Sequence, residues 1–309
     1  MTPKRKFTYR GYIHIFQITA DRGICFYTAA DCLVWFTLFC VLAEKYDVHV
    51  LAVCIMLNHF HIEAHFLSPE YMAGMMQELD AKFTLKYNRQ YGLSGKLFKG
   101  RYGSAPKSKI REVRDNVVYV YNNPIPKRAV ARAELYRWNF LAYMDSDHPF
   151  SERVVIRRSS RTLLAVMAMV REFRRRRAPL GYSFFGGMYE SLDREERLQV
   201  LDYIVKCYNV VRYEDLRSMW GNYESLCTAL KTVGGAEYDV ADDRSLEDYR
   251  HYYQMMKLVP ELAGVDLAVK RFDRMGKREL DRLAWEISRR IGASKVELGK
   301  FLHLPGVGL

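Results

Sequence analysis

Residues 59–66, HFHIEAHF, alternate strictly, and alternation with period two is the signature of a strand. Successive side chains of a strand point to opposite sides, so His59, His61, Glu63 and His65 share one face while Phe60, Ile62, Ala64 and Phe66 share the other. The run before it, DVHVLAVCIM (47–56), is β-branched and apolar and reads as a second strand, joined to the first by the short link Leu57-Asn58. Any fold for this chain must therefore accept a strand pair that is apolar on one side and carries three histidines and a glutamate on the other.

The flanking sequence supplies the rest of a sheet. YRGYIHIFQIT (9–19) alternates and reads as a strand. TAADCLVWFTLFCVLAEKY (28–46) reads as a helix that opens at Thr28, a good N-cap. A helix over 68–92 starts at Ser68-Pro69 and stops at Gly92, a short strand follows near Arg101 to Pro106, and a helix over 109–123 is halted by Pro124. Strand, helix, strand, strand, helix, strand, helix is an α+β order with a small antiparallel sheet, closest to the ferredoxin-like plan. Near residue 150 the character changes and only helical signals follow, including amphipathic segments at 191–208, 245–259 and 277–293. The organisation expected is a first domain over 1–148, a basic linker over 149–180 and a helical C-terminal domain over 181–309. The run REFRRRRAP (171–179) is either a DNA-contacting segment or a solvated helix end.

Six cysteines form no CxxC pair and no zinc-ligand spacing, which points to free thiols. No long uncharged apolar stretch suggests a membrane span, and the N-terminus lacks the apolar core of a secretory signal, so a cytoplasmic location is expected. A net charge of +12 favours a polyanionic partner. KFTLKYNRQYGLSGKLFKGRYGS (82–104) interleaves cations with Phe83, Tyr87, Tyr91, Phe98 and Tyr102. That is the composition of a surface that holds phosphates and stacks unpaired bases. An amphipathic helix with its aromatics in the core is the better reading of Phe83 and Tyr87, four apart on one helical face, and fits the Gly-rich part less well.

Two imidazoles at adjacent positions on one strand face are well placed to bind a divalent cation, although histidines in strands are also commonly structural. In the helix over 109–123, Tyr119 and Asn123 are four apart and lie on one face, so a phenol and an oxygen ligand could complete a site built on His59 and His61. Tyr121 is the rival phenol, but its own i+4 residue is Ile125, which offers no ligand. Both tyrosines could instead be aromatics packing helix to sheet.

Four segments, LNHFH at the strand pair, YNRQYGLSGKLFKGRYGS, YVYNNP and YRWNF, resemble in order and spacing the single-tyrosine HUH transposases, and in particular the REP-associated tyrosine transposases, over residues 9–143. The resemblance puts the histidine-hydrophobic-histidine motif on His59-Phe60-His61, the nucleophile on Tyr119 and a polar ligand on Asn123. Leu57 departs from the pattern, which usually has proline there. The resemblance implies a metal-dependent endonuclease and strand transferase that cuts single-stranded DNA beside hairpins through a 5′-phosphotyrosine intermediate. It implies a bound Mg²⁺ or Mn²⁺, no nucleotide cofactor, and a monomer or homodimer. Lys96, Lys99, Arg101 and Arg128 are candidates for DNA backbone contacts, Phe98 and Tyr102 for base stacking, and Glu63 and His65 for supporting the metal ligands. A non-cutting hairpin binder on the same fold is the alternative. A relaxase or replication initiator would more often show paired tyrosines or a helicase domain. Toward the C-terminus, a helix, a turn at Gly292-Ala293-Ser294 and a helix to Leu302 read as the opening of a helix-turn-helix or as a plain helical hairpin, with a recognition helix due only where the sequence stops.

Overall fold

The computed structural model describes residues 6–232, 249–263, 272 and 275–304. The first half runs β1 (Tyr12–Ile18), α1 (Ala29–Lys45), β2 (His49–Ile55), β3 (His59–His65), α2 (Pro69–Tyr91), β4 (Gly103–Lys107) and α3 (Ile110–Asn122). This is the order expected from the sequence. The strands form one antiparallel sheet in the order β2-β3-β1-β4. The α+β, ferredoxin-like class thus holds. Boundaries moved by a few residues where the backbone turns left-handed, as at Gly11 (φ +118°) before β1 and Asp47 (φ +48°) before β2.

Local chemistry sets the helix limits. The Thr28 side chain accepts from the Asp31 amide in a reciprocal capping box at the start of α1. Ser68 caps α2, Pro69 occupies its first turn, and Gly92 ends it in the left-handed conformation. The apolar face of β3 packs under α1 and α2, with Phe60 against Trp35 (ring centroids 4.6 Å apart). On the other side α3 covers the histidine face. The segment YRWNF forms a corner beyond α3: Tyr136 Oη donates to the Ile55 carbonyl, and Asn139 Nδ2 donates to the carbonyls of Tyr121 and Ala133.

The remaining helices are α4 (Arg161–Arg175), α5 (Arg194–Tyr208), α6 (Tyr213–Trp220), α7 (Tyr223–Thr232), α8 (Arg250–Ala263), α9 (Lys277–Ile291) and α10 (Lys295–Leu302). Where the sequence suggested a basic linker, α4 buries Leu163, Val166, Met167 and Val170, because its apolar residues recur at helical spacing ahead of the arginines. The arginine run closes α4, where Arg174 pairs with Glu44, and Arg175 and Arg176 pair with Glu172. Of the amphipathic segment at 245–259, residues 245–248 lie outside the described residues. So do residues 305–309, where a recognition helix is due only as the sequence stops. The turn at Gly292 and the capping box of Ser294 with Glu297 separate α9 from α10. α10 then docks on the first half, the Phe301 carbonyl accepting from Tyr27 Oη at 2.7 Å. Among the described residues no helix is long and apolar enough to cross a membrane. The six cysteines are free.

Asp202 of α5 ties the halves together. This buried carboxylate accepts from the Arg137 guanidinium, Tyr143 Oη (2.6 Å), Ser151 Oγ (2.8 Å) and the Phe150 amide (3.0 Å). Asp202→Ala strands a largely buried arginine and three further donors, and is expected to lower unfolding stability by about 3–5 kcal/mol in a urea titration.

Candidate metal and tyrosine site

The β1–β3 register places Ile18 opposite His59, Phe16 opposite His61 and His14 opposite Glu63. Because residues opposite one another share a face, His14 of β1 joins the polar side of β3, flanked by the apolar Phe16 and Ile18. β4 passes close to this face: a Cβ at Gly103 would lie 2.1 Å from the Phe16 ring, so only glycine fits there. Over it lies α3, whose Asn116, Tyr119 and Asn123 recur at the three- and four-residue spacing of one helix face.

Asn123, 4% exposed, bridges the two histidines: its Oδ1 lies 3.3 Å from His59 Nε2 and its Nδ2 lies 3.0 Å from His61 Nε2. The other ring nitrogens are held from behind, His59 Nδ1 by Asn58 Oδ1 at 2.7 Å and His61 Nδ1 by His14 Nε2 at 2.9 Å. Tyr119 is half-buried, and its ring stands edge-on to those of His14 (5.6 Å) and His61 (5.5 Å). Tyr121, two residues on and turned away, is fully buried and donates to the Leu51 carbonyl at 3.0 Å. Burial pushes the Tyr121 phenol well above its ordinary range.

This donor set fits a divalent cation. Each Nε2 faces inward while each Nδ1 is hydrogen-bonded outward, the arrangement that orients metal-binding imidazoles. With the Nδ1 proton given to Asn58, a neutral His59 presents only a lone pair at Nε2, so two acceptors face each other at 3.3 Å. A cation between them resolves that contact, as does a half-turn of the Asn123 amide. Among the described residues no group of three or more His, Cys, Asp or Glu side chains is arranged to hold a metal, so the set depends on the amide as its third member.

Glu63 is buried under α3 and accepts from Asn116 Nδ2. Burial pushes its carboxyl well above the usual range, against the opposing pull of Lys107 and the Asn116 bond. His65 sits at the far end of β3 with its Nδ1 2.6 Å from the Gly11 carbonyl.

The candidate DNA contacts divide. Lys96, Lys99, Arg101 and Arg128 are exposed. Phe98 and Tyr102 are each only 5% exposed. Phe98 packs edge-on to Phe60 at 5.7 Å, so the stacking role expected for these rings is corrected: they are core, as are Phe83, Tyr87 and Tyr91. The loop carrying the cations adjoins the His59 end of the sheet, with Lys99 donating its amide to the Ile18 carbonyl at 2.9 Å. Between this loop and α2 lies a groove of ≈ 1270 Å³ lined by Asp80, Arg89, Lys96 and Arg101 among others. His14, Asn58 and Asn116 escaped the sequence reading. For His14 the one available signal was alternation in YIHIF, which fixes its face only once the strand pairing is known.

No family model and no curated protein matches the chain. Among solved structures, it is similar to a REP-associated tyrosine transposase bound to a REP hairpin, at 14% identity and a TM-score of 0.41, over 46% of this chain and 84% of that one. The likeness is a distant one.

A buried acid that stays neutral in the fold binds its proton more tightly there than when unfolded. Glu63 should therefore cost stability as pH rises above the ordinary carboxyl value of 4.5 towards its raised folded value. In metal-free protein, Glu63→Gln is expected to remove that decline, making the variant more stable than wild type at pH 7–8 but not at pH 4, by urea unfolding across the pH range.

Proposed function

We propose that the chain is a metal-dependent single-stranded DNA endonuclease and strand transferase, acting beside hairpins through Tyr119. The observation that carries this reading is the convergence of His59, His61 and Asn123 beside the half-buried Tyr119, from two elements far apart in sequence. His59, His61 and Asn123 would hold Mg²⁺ or Mn²⁺, which when bound supplies Lewis-acid stabilisation of charge at the scissile phosphate. Tyr119 Oη would attack phosphorus in line. A bond forms from Oη to phosphorus, the bond from phosphorus to O3′ breaks, and the phenol's proton is balanced by the one the 3′ oxygen gains. The 5′-phosphotyrosine link keeps the phosphodiester energy, so another 3′-OH can reverse the step and rejoin DNA.

Substrate binding falls to the exposed cations. Lys96, Lys99 and Arg101 stand beside the groove next to the His59 end of the sheet, where a single strand leaving the site could run. Arg128 follows Asn123-Pro124 by four residues and offers a charge beyond the end of α3.

The decisive experiment incubates the protein and Mn²⁺ or Mg²⁺ with labelled hairpin DNA from the flanks of its own gene. Wild type and Tyr121→Phe are expected to give a covalent adduct on a denaturing gel, and Tyr119→Phe none, with chelator abolishing it throughout. Adduct loss in Tyr121→Phe alone would move the nucleophile, and tight binding without adduct would favour a non-cutting hairpin binder. Arg101→Ala is expected to weaken single-strand binding whatever the sequence. Its plot of log affinity against log salt should flatten by about 0.7, the share of one phosphate contact.

A further inference from the structure

The link residue Asn58 joins the histidine face to the C-terminal helices. Its Nδ2 donates to the Arg22 carbonyl at 3.1 Å, which can only accept, so the amide's orientation is fixed. Its Oδ1 then faces two donors, His59 Nδ1 at 2.7 Å and Tyr249 Oη at 2.7 Å. Tyr249 immediately precedes α8, is 1% exposed, and donates its own amide to the Lys127 carbonyl at 2.9 Å. Lys127 lies four residues beyond Asn123. One residue from the C-terminal half is therefore bonded both to the segment that carries His59 and to the segment that follows Asn123.

We propose that Tyr249 is a positioning residue: through Asn58 it locks the His59 imidazole with its proton on Nδ1 and its Nε2 lone pair turned toward Asn123. The consequence for metal affinity rests on the function proposed above, whereas the effect on His59 does not. An Asn58 oxygen held by two donors cannot swing away with either, and the backbone around it is also tied: the Asn58 carbonyl accepts from the Thr19 amide at 2.8 Å, and the Leu57 carbonyl from those of Cys25 and Phe26. The C-terminal helices would thus contribute to the site without supplying a ligand, in the manner of outer partners that orient metal-binding histidines.

The full chain labelled with ¹⁵N-histidine reports the ring nitrogens of its eight histidines, His59 being assigned by its loss in His59→Gln. Metal-free wild type is expected to show His59 protonated at Nδ1; protonation at Nε2 alone would overturn the proposal without any change at Tyr249. Tyr249→Phe, which removes one oxygen, is expected to shift and broaden the His59 signals. It should also weaken Mn²⁺ binding about tenfold, read from the paramagnetic resonance of the free ion. Tyr252→Phe, one turn along α8, should change neither. Because Tyr249 is argued to act through Asn58, the double variant Asn58→Ala/Tyr249→Phe should bind Mn²⁺ no more weakly than Asn58→Ala. Additive losses, or an unmoved His59 in Tyr249→Phe, would show a packing residue and sink the idea. Wild type that binds no Mn²⁺, yet shows a His59 signal moved by Tyr249→Phe, would uphold the positioning role and defeat the metal reading instead.

Discussion

The pairing of β1 with β3 is the constraint from which the site follows. With Phe16 opposite His61 and His14 opposite Glu63, the polar row of β3 gains His14 from β1 while Ile13, Ile15, Phe60 and Ile62 fill the other face. A slip of one residue would exchange the faces of β3, burying the histidines under α1 and α2 and turning Phe60 and Ile62 toward α3. The apolar face therefore fixes the polar one: the aromatic packing of Trp35 on Phe60 selects the register that brings His14 to His61.

A polar row inside a protein must find partners, and α3 provides them. Asn116 takes Glu63 and Asn123 takes both histidines, each from a helix whose remaining face carries Val113, Val117, Val120 and Tyr121 into the core. Pro124 ends the helix at the point where Asn123 is needed, and the corner built by Tyr136 and Asn139 fixes the chain that follows. The partnering is incomplete: Glu63 Oε1 and Asn116 Oδ1 are buried without a hydrogen bond among the described residues, and burial disfavours the charged form of Glu63.

Element types and order in the first half were legible because period and punctuation agreed: strict alternation in β3, Thr28 and Ser68 as caps, Gly92 and Pro124 as stops. The His59, His61, Tyr119 and Asn123 group was legible for the same reason, since strand and helix spacing each put their pairs on one face. What did not show was anything requiring strand pairing or tertiary docking. His14 looks like any polar residue in a strand until β1 is laid against β3. Tyr249 is 190 residues from His59 and carries no local signal at all. The reverse error occurred at Phe98 and Tyr102, where aromatics among cations suggested a stacking surface. Composition cannot tell a ring that faces out from one that faces in, and here Thr19 bridges Phe98 so that its ring turns onto Phe60.

The two tyrosines of α3 show how far the surroundings, rather than residue type, decide what a phenol can do. Two residues along a helix amount to about 200° of rotation, so Tyr119 and Tyr121 face nearly opposite ways. Tyr121 looks into β2, where its hydroxyl is bound to a carbonyl and burial disfavours the phenolate; its work is to hold helix to strand. Tyr119 meets the imidazoles of His14 and His61 in a half-open position. A phenol with an ordinary value near 10 needs a nearby cation or base to react at neutral pH. Of the two positions, only the one beside His61 and Asn123 is next to a place where a cation could sit.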